Sequence, residues 1–256
     1  MNTIIKYNGA ARQDAFALNV NKFKTDGYFL EFGSQHPTND NNTYLLESGY
    51  NWKGLMFEWE DKYIPLYEKE RSEDTTYIIA DATQLNYTDI FSKLKVPKNI
   101  DYLQIDLEAG MLTPLTLLEK LNKQVMDTHK FATITFEHDI YCGGKNSKYN
   151  VGGPWNGWTP YDSNNFYTVR SRSREIFKSR GYFLVFADVN DNEKYSNPFE
   201  DWWVHPDLVD MKYISKLIES NENKYCQNQI SGLTIDGSSI LYLSLIHISE
   251  PTRRDQ

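Results

Sequence analysis

The chain has 256 residues, with 27 Lys and Arg against 35 Asp and Glu, for a net charge of −8. That length suits one α/β domain with a full core, and the acidic balance disfavours a nucleic-acid backbone as the main partner. No run of about eighteen apolar residues reads as a membrane span, and the opening MNTIIKYNGAARQD lacks the apolar core of a secretion signal.

In chain order, YFLEF (28–32) reads as a short buried strand and NNTYLLESG (41–49) as a helix ending at Gly49. GLMFEWE (54–60) is a second strand. DKYIPLYEKERS (61–72) is a charged helix with Pro65 near its first turn. TTYIIADA (75–82) is a third strand, rich in β-branched residues, followed by the helix YTDIFSKLKV (87–96), stopped by Pro97. IDYLQIDLE (100–108) is a fourth strand. TPLTLLEKLNKQV (113–125) is a helix with Thr113 as N-cap and Pro114 first inside it. FATITFEHD (131–139) is a fifth strand, and a long Gly- and Asn-rich stretch, 141–165, reads as a loop. The helix TVRSRSREIFKSRG (168–181), the strands YFLVFADV (182–189) and EDWWVHP (200–206), and the helix KYISKLIESN (212–221) complete the order. The two last strands read as an antiparallel pair at one edge. Alternation of this length predicts a parallel sheet with helices on both faces, in one domain over 1–242.

In an open parallel sheet, ligands bind outside the carboxyl ends of the strands where strand order reverses. The first strand ends Glu31-Phe32-Gly33, and the next three end at Glu58, Asp81 and Asp106. An acid after the second strand is the residue type that accepts hydrogen bonds from ribose hydroxyls. A glycine after the first lets backbone approach a ligand closely. The loop lacks G-x-G-x-x-G, so no pyrophosphate cradle is offered. This argues against an NAD-dependent oxidoreductase and for a nucleoside ligand with a cationic centre. S-adenosylmethionine meets that description.

GYFLEFGS, NNTYLLE, NWKGLMFEWE, IADAT and IDYLQIDLEA, in that order, resemble the FkbM-type S-adenosylmethionine-dependent methyltransferases over residues 27–139, and more loosely to 206. The resemblance implies a Rossmann-like class I methyltransferase fold of seven strands, the last antiparallel. It also implies site roles. Glu31, Phe32, Gly33 and Ser34 form the first cofactor motif. Glu58 binds the ribose, and Trp59 packs on the adenine. Asp81 and Ala82 face the adenine edge, and Asp106 borders the methyl-transfer site. Two positions depart from the family pattern. The loop GSQHPTNDNNT (33–43) lacks a second glycine, and Glu108-Ala109 stands where relatives have Glu-Gly.

A hydroxyl acceptor needs a base to take its proton. His138 in FEHD (137–139 with Phe136) is the first choice, with Asp106 and Glu108 as alternatives. A divalent metal held by Asp106, Glu137 and Asp139 is a less favoured route to the same end. Trp155, Trp158, Tyr149 and Tyr161 make residues 140–165 a lid or acceptor wall suited to a sugar face. RSRSR (170–174) reads as a phosphate or carboxylate contact, or as a solvated face. The expected reaction is O-methylation of a sugar or other small hydroxyl acceptor. The rival from another class is an inactive Rossmann module that binds glycan or protein. Cys142 and Cys226 lie far apart and read as thiols of a reducing compartment, hence a cytoplasmic protein. LSLIHISEPTR (243–253) resembles a translated sequencing adapter, so residues 243–256 are expected to be a non-native tail.

Overall fold

The computed structural model describes residues 7–143, 162, 164–190 and 198–219. They build one seven-stranded sheet, in the order β3-β2-β1-β4-β5-β7-β6. The strands are β1 (Tyr28–Phe32), β2 (Lys53–Glu58), β3 (Thr76–Ile79), β4 (Asn99–Ile105), β5 (Lys130–Glu137), β6 (Phe183–Val189) and β7 (Glu200–Val204). β1 to β5 run parallel, and β7 is antiparallel to both of its neighbours, β5 and β6. Strand order therefore reverses between β1 and β4. This is the Rossmann-like class I methyltransferase topology that the sequence led us to expect. β7 is inserted between β5 and the edge strand β6, so the antiparallel pair is the sheet's last two strands.

The helices are α1 (Gln13–Val20), α2 (Tyr44–Tyr50), α3 (Ile64–Glu70), α4 (Tyr87–Lys93), α5 (Thr113–Gln124), α6 (Asn164–Ser179) and α7 (Met211–Glu219). One face of the sheet packs Leu30, Leu103, Ile105, Ile134 and Phe136 against Leu117, Leu118 and Leu121 of α5 and Val169 and Phe177 of α6. The other face carries Phe29, Met56, Tyr102 and Trp202 under α1, α2 and α7. β4 and β5 lie at the centre and are fully buried along most of their length.

Local chemistry corrects some boundaries. α2 does not end at Gly49. It runs on to Tyr50 and is capped by Asn51, whose φ of 57° is left-handed, a conformation Asn tolerates. Thr113 is not the N-cap of α5. Leu112, at φ 61°, takes that place, and the Thr113 hydroxyl donates to the Glu108 carbonyl at 2.8 Å. α1 has no counterpart in the sequence reading. All eight of its residues are buried, so it shows no polar face and no helical stripe.

Candidate active site

Strand order reverses at β1 and β4, and the strand-end residues gather at the carboxyl ends of β1, β2 and β4. Gly33 holds φ +81°, and a Cβ there would lie 1.8 Å from the Asp106 carbonyl oxygen. Its amide donates to the Phe57 carbonyl at 2.9 Å, and the Asp106 amide donates to the Phe32 carbonyl at 3.0 Å. The first turn is thus pressed onto the β4 exit, with only hydrogen between them. Phe32 is buried and stacks on Phe57 at 4.3 Å. The Ser34 hydroxyl donates to the Glu31 and Phe57 carbonyls.

Glu31 is buried beneath the loop that follows it. Its Oε2 accepts from Asn41 Nδ2 at 3.1 Å and from Thr43 Oγ1 at 2.9 Å. Burial raises its pKa, while Arg71 and these donors pull it down. Arg71 ties the same loop through the Pro37 carbonyl, Asn41, Thr43 and Glu47. The polar loop is therefore fastened rather than free. Glu58 Oε2 accepts the Gln35 amide at 2.7 Å, and Oε1 accepts the Trp59 and Glu60 amides at 2.8 and 2.9 Å. A carboxylate offers about four lone-pair directions, so one remains on Oε2. Trp59 beside it is 73% exposed, an unusual state for an indole. Asp81 caps the short turn 82–84, accepting the Thr83 amide and hydroxyl at 2.9 and 2.7 Å. Ala82 is buried below it. Glu108 accepts the Gly110 amide at 3.2 Å and caps the turn after β4.

Beyond β4 the structure brings three acids together. Glu137 hydrogen-bonds both Asp106 and Asp139. Burial and the two neighbouring carboxylates push Glu137 well above the carboxylate range. Burial, with Asp106 and Glu108 nearby, raises Asp139 to about 7. Burial, with Glu58 nearby, raises Asp106, against the hydrogen bond from Glu137. Like charges this close share protons rather than all ionise.

His138 is not in this group. It has no exposed surface. Its Nδ1 accepts the Ile140 amide at 3.2 Å, and its Nε2 lies 3.5 Å from both Asp188 and Asp201. Those acids are clamped by Arg170 and Arg174 of α6. An imidazole so enclosed stands apart from the three acids at the strand ends. His138, Asp188 and Asp201 do place donor atoms within 4.8 Å of one another, the spacing of a metal group. Two guanidiniums already neutralise these carboxylates. The paired arginines also correct the reading of RSRSR, since Arg170 and Arg174 bind this chain's own acids. The lid aromatics, Trp155, Trp158, Tyr149 and Tyr161, and the tail 243–256 lie outside the described residues.

Sequence reasoning passed over Glu200, the first residue of β7. Antiparallel pairing sets it opposite Glu137, and burial, with Asp106 and Asp201 nearby, raises it to about 8. An acid opening an antiparallel strand beside parallel strand ends was the available signal. Among the described residues, no helix is long and apolar enough to cross a membrane.

Neither a protein-family model nor a curated protein matches the chain. Solved structures do. A Klebsiella pneumoniae protein assigned as an O-methyltransferase aligns at 12% identity and TM-score 0.48, over 80% of this chain and 83% of its own. The phosphoethanolamine N-methyltransferase 2 of Haemonchus contortus, solved with S-adenosyl-L-methionine, aligns at 14% identity and TM-score 0.48, over 95% of this chain and 51% of its own. The chain thus spans about half of that enzyme. A SAM-dependent methyltransferase of Archaeoglobus fulgidus aligns at 14% identity and TM-score 0.41, over 86% of this chain and 88% of its own.

Proposed function

We propose that the chain is a cytoplasmic S-adenosylmethionine-dependent methyltransferase of the FkbM type, formed by residues 1–242, that methylates a hydroxyl of a small or glycan-linked acceptor, a sugar first among them. The observation that carries this reading is the close approach of Gly33 to the Asp106 carbonyl at the point where strand order reverses. The residues there fit the cofactor. Glu58 keeps a lone pair for a ribose hydroxyl, and the bare face of Trp59 suits an adenine. The bound cofactor supplies an electrophilic methyl group. The chain's part is to hold the acceptor in line with that methyl, which yields much of the rate, and to remove the hydroxyl proton. Asp139, poised near neutral pH within the Asp106–Glu137–Asp139 cluster, suits the second task.

One observation favours the rival reading of an inactive binding module. Glu31, Glu58, Asp81 and Glu108 all accept hydrogen bonds from their own turns, so part of their chemistry is structural. Calorimetry separates the two. S-adenosylmethionine is expected to bind at micromolar strength, with NAD and UDP-glucose inert, and Glu58→Ala to lose at least about tenfold of that affinity, the worth of one charged hydrogen bond. A folded protein that binds no S-adenosylmethionine would sink the proposal.

A further inference from the structure

Three observations converge on the face of the sheet that lies under α1. Gln104 is 2% exposed, and its Oε1 has no hydrogen-bond partner. An orphaned buried carbonyl oxygen has given up its water without gaining a partner. Gln104 stands two residues before Asp106, so strand alternation puts both side chains on one face. The ladder sets Gln104 beside Thr135 of β5 and Glu31 of β1, and the next step on this face brings Asp106 level with Glu137. Glu200 faces Glu137 from β7.

The second observation is charge. Asp106, Glu137, Asp139 and Glu200 crowd this corner, and none pairs with a lysine or arginine among the described residues. Directly opposed like charges on neighbouring strands destabilise a sheet, so Glu137 facing Glu200 is a poor choice for stability alone. Asp106, Glu137 and Asp139 are half-buried, so solvent reaches them, whereas Glu200 and Gln104 lie below as a floor.

The third is position. Glu137 and Glu200 stand one and two strands beyond β4, on the side away from Glu58 and Trp59. They belong to the acceptor's side of the crevice and not to the cofactor's.

Glu200 Oε1 already accepts from Trp202 Nε1 at 2.7 Å, and the groups left free here are acceptors or acids, so the complementary ligand brings N–H donors and positive charge. A single metal ion fits poorly. Among the described residues, no three of these four acids meet the 4.8 Å donor spacing that His138, Asp188 and Asp201 meet. A polyatomic cation spreads its donors over a wider ring. We infer that the acceptor is recognised through a small organic ammonium group seated between Glu137, Glu200 and the Gln104 carbonyl oxygen, which makes the acceptor an amino alcohol or amino sugar. The inference rests on the methyltransferase reading for the hydroxyl that the same molecule presents to the methyl donor.

The test is calorimetry at pH 7.5 and constant ionic strength, on the protein alone and saturated with S-adenosylhomocysteine. The probes are ethanolamine, its neutral counterpart ethylene glycol, and magnesium chloride. Ethanolammonium is expected to bind at least about tenfold more tightly than ethylene glycol, and to lose about tenfold in Glu200→Gln and in Glu137→Gln, while S-adenosylhomocysteine affinity stays unchanged. Circular dichroism verifies folding, and if one variant fails to fold the other is read. Equal binding of both probes, or ethanolamine binding that neither substitution weakens, overturns the inference. Magnesium binding that is lost in the same variants overturns it in favour of a metal site. If S-adenosylhomocysteine fails to bind while ethanolammonium binds selectively, the methyltransferase reading falls and the ammonium site stands. If S-adenosylhomocysteine binds and ethanolammonium does not, only the ammonium site falls.

Discussion

Gly33 and Gly181 share a backbone conformation, φ +81° and +83°, but not a neighbourhood. A Cβ at Gly33 meets the Asp106 carbonyl at 1.8 Å, whereas one at Gly181 meets nothing within 4 Å. Gly181→Ala is therefore expected to cost the left-handed penalty alone, about 1–2 kcal/mol. Gly33→Ala adds displacement of the β4 exit and should cost about 3 kcal/mol or more, a fall in Tm of roughly 6–12 °C. Thermal melts of the two variants side by side would separate the terms, and equal losses would refute the close approach. The glycine and the strand-end acids were legible in the sequence because residue type and strand position suffice to find them. Their partners were not. Whether Asp81 faces a ligand or caps its own turn depends on the two residues after it, and here Thr83 takes it. The surroundings of His138 were hidden for a related reason. It follows Glu137 by one residue, so it turns to the opposite face, and sequence alone does not say which face opens on the crevice.

At the scale of elements, α6 is bound to the sheet by charge as well as by its apolar stripe. Arg170 and Arg174, one turn apart, reach Asp188 of β6 and Asp201 of β7, and His138, just past the end of β5, completes the group. Arg174 grips Asp201 with two hydrogen bonds, at 2.7 and 2.6 Å. Burial alone would raise Asp201, but these bonds and His138 bring it below the usual range. Arg174→Met leaves a fully buried carboxylate without its partner. The expected cost is about 3–5 kcal/mol, read as a Tm fall on the order of 10 °C, and Arg174→Lys should recover part of it. A melt unchanged by Arg174→Met would show the clamp to be dispensable. Most elements were legible because strands and helices alternate with their turn signals. α1 was not, since a helix buried on all sides carries no periodic stripe.

For the molecule as a whole, buried and half-buried acids set the response to pH. Asp14, Asp139 and Glu200 stand at about 6, 7 and 8 in the folded chain, against about 4 when unfolded. Between roughly pH 4 and 8 the folded state holds more protons than the unfolded state, so stability falls as pH rises. Asp201 acts in the opposite sense. Its contribution is present above about pH 4 and is lost as pH falls through its lowered folded value. The ligand-free protein should therefore melt at a higher temperature at pH 5.5 than at pH 8.5. Glu200 faces Glu137 across the ladder, with Gln13 of α1, Trp202, Asp201 and Asp106 also acting on it. Glu200→Gln should flatten the decline, and a melting temperature that rises toward pH 8.5 would contradict the buried-acid account. The parallel sheet with helices on both faces followed from the alternation in the sequence, whereas the insertion of β7 beside β5 did not. That insertion is a pairing choice between residues far apart in the chain, and it brings Glu200 to the acids of β4 and β5.

α1 also has a history in time. Phe16 packs on Trp202 with ring centroids 4.6 Å apart, and the Asn19 side chain accepts a hydrogen bond from Tyr213, 194 residues further along. The helix leaves the ribosome before every strand of the sheet, but Trp202 and Tyr213, which cover it, emerge much later. At typical synthesis rates the wait is on the order of 10–40 s. Throughout that interval Phe16 and Val20 have no β7 to lie against. The nascent chain carries its most apolar helix as an early debt, settled only when its C-terminal strands join the sheet.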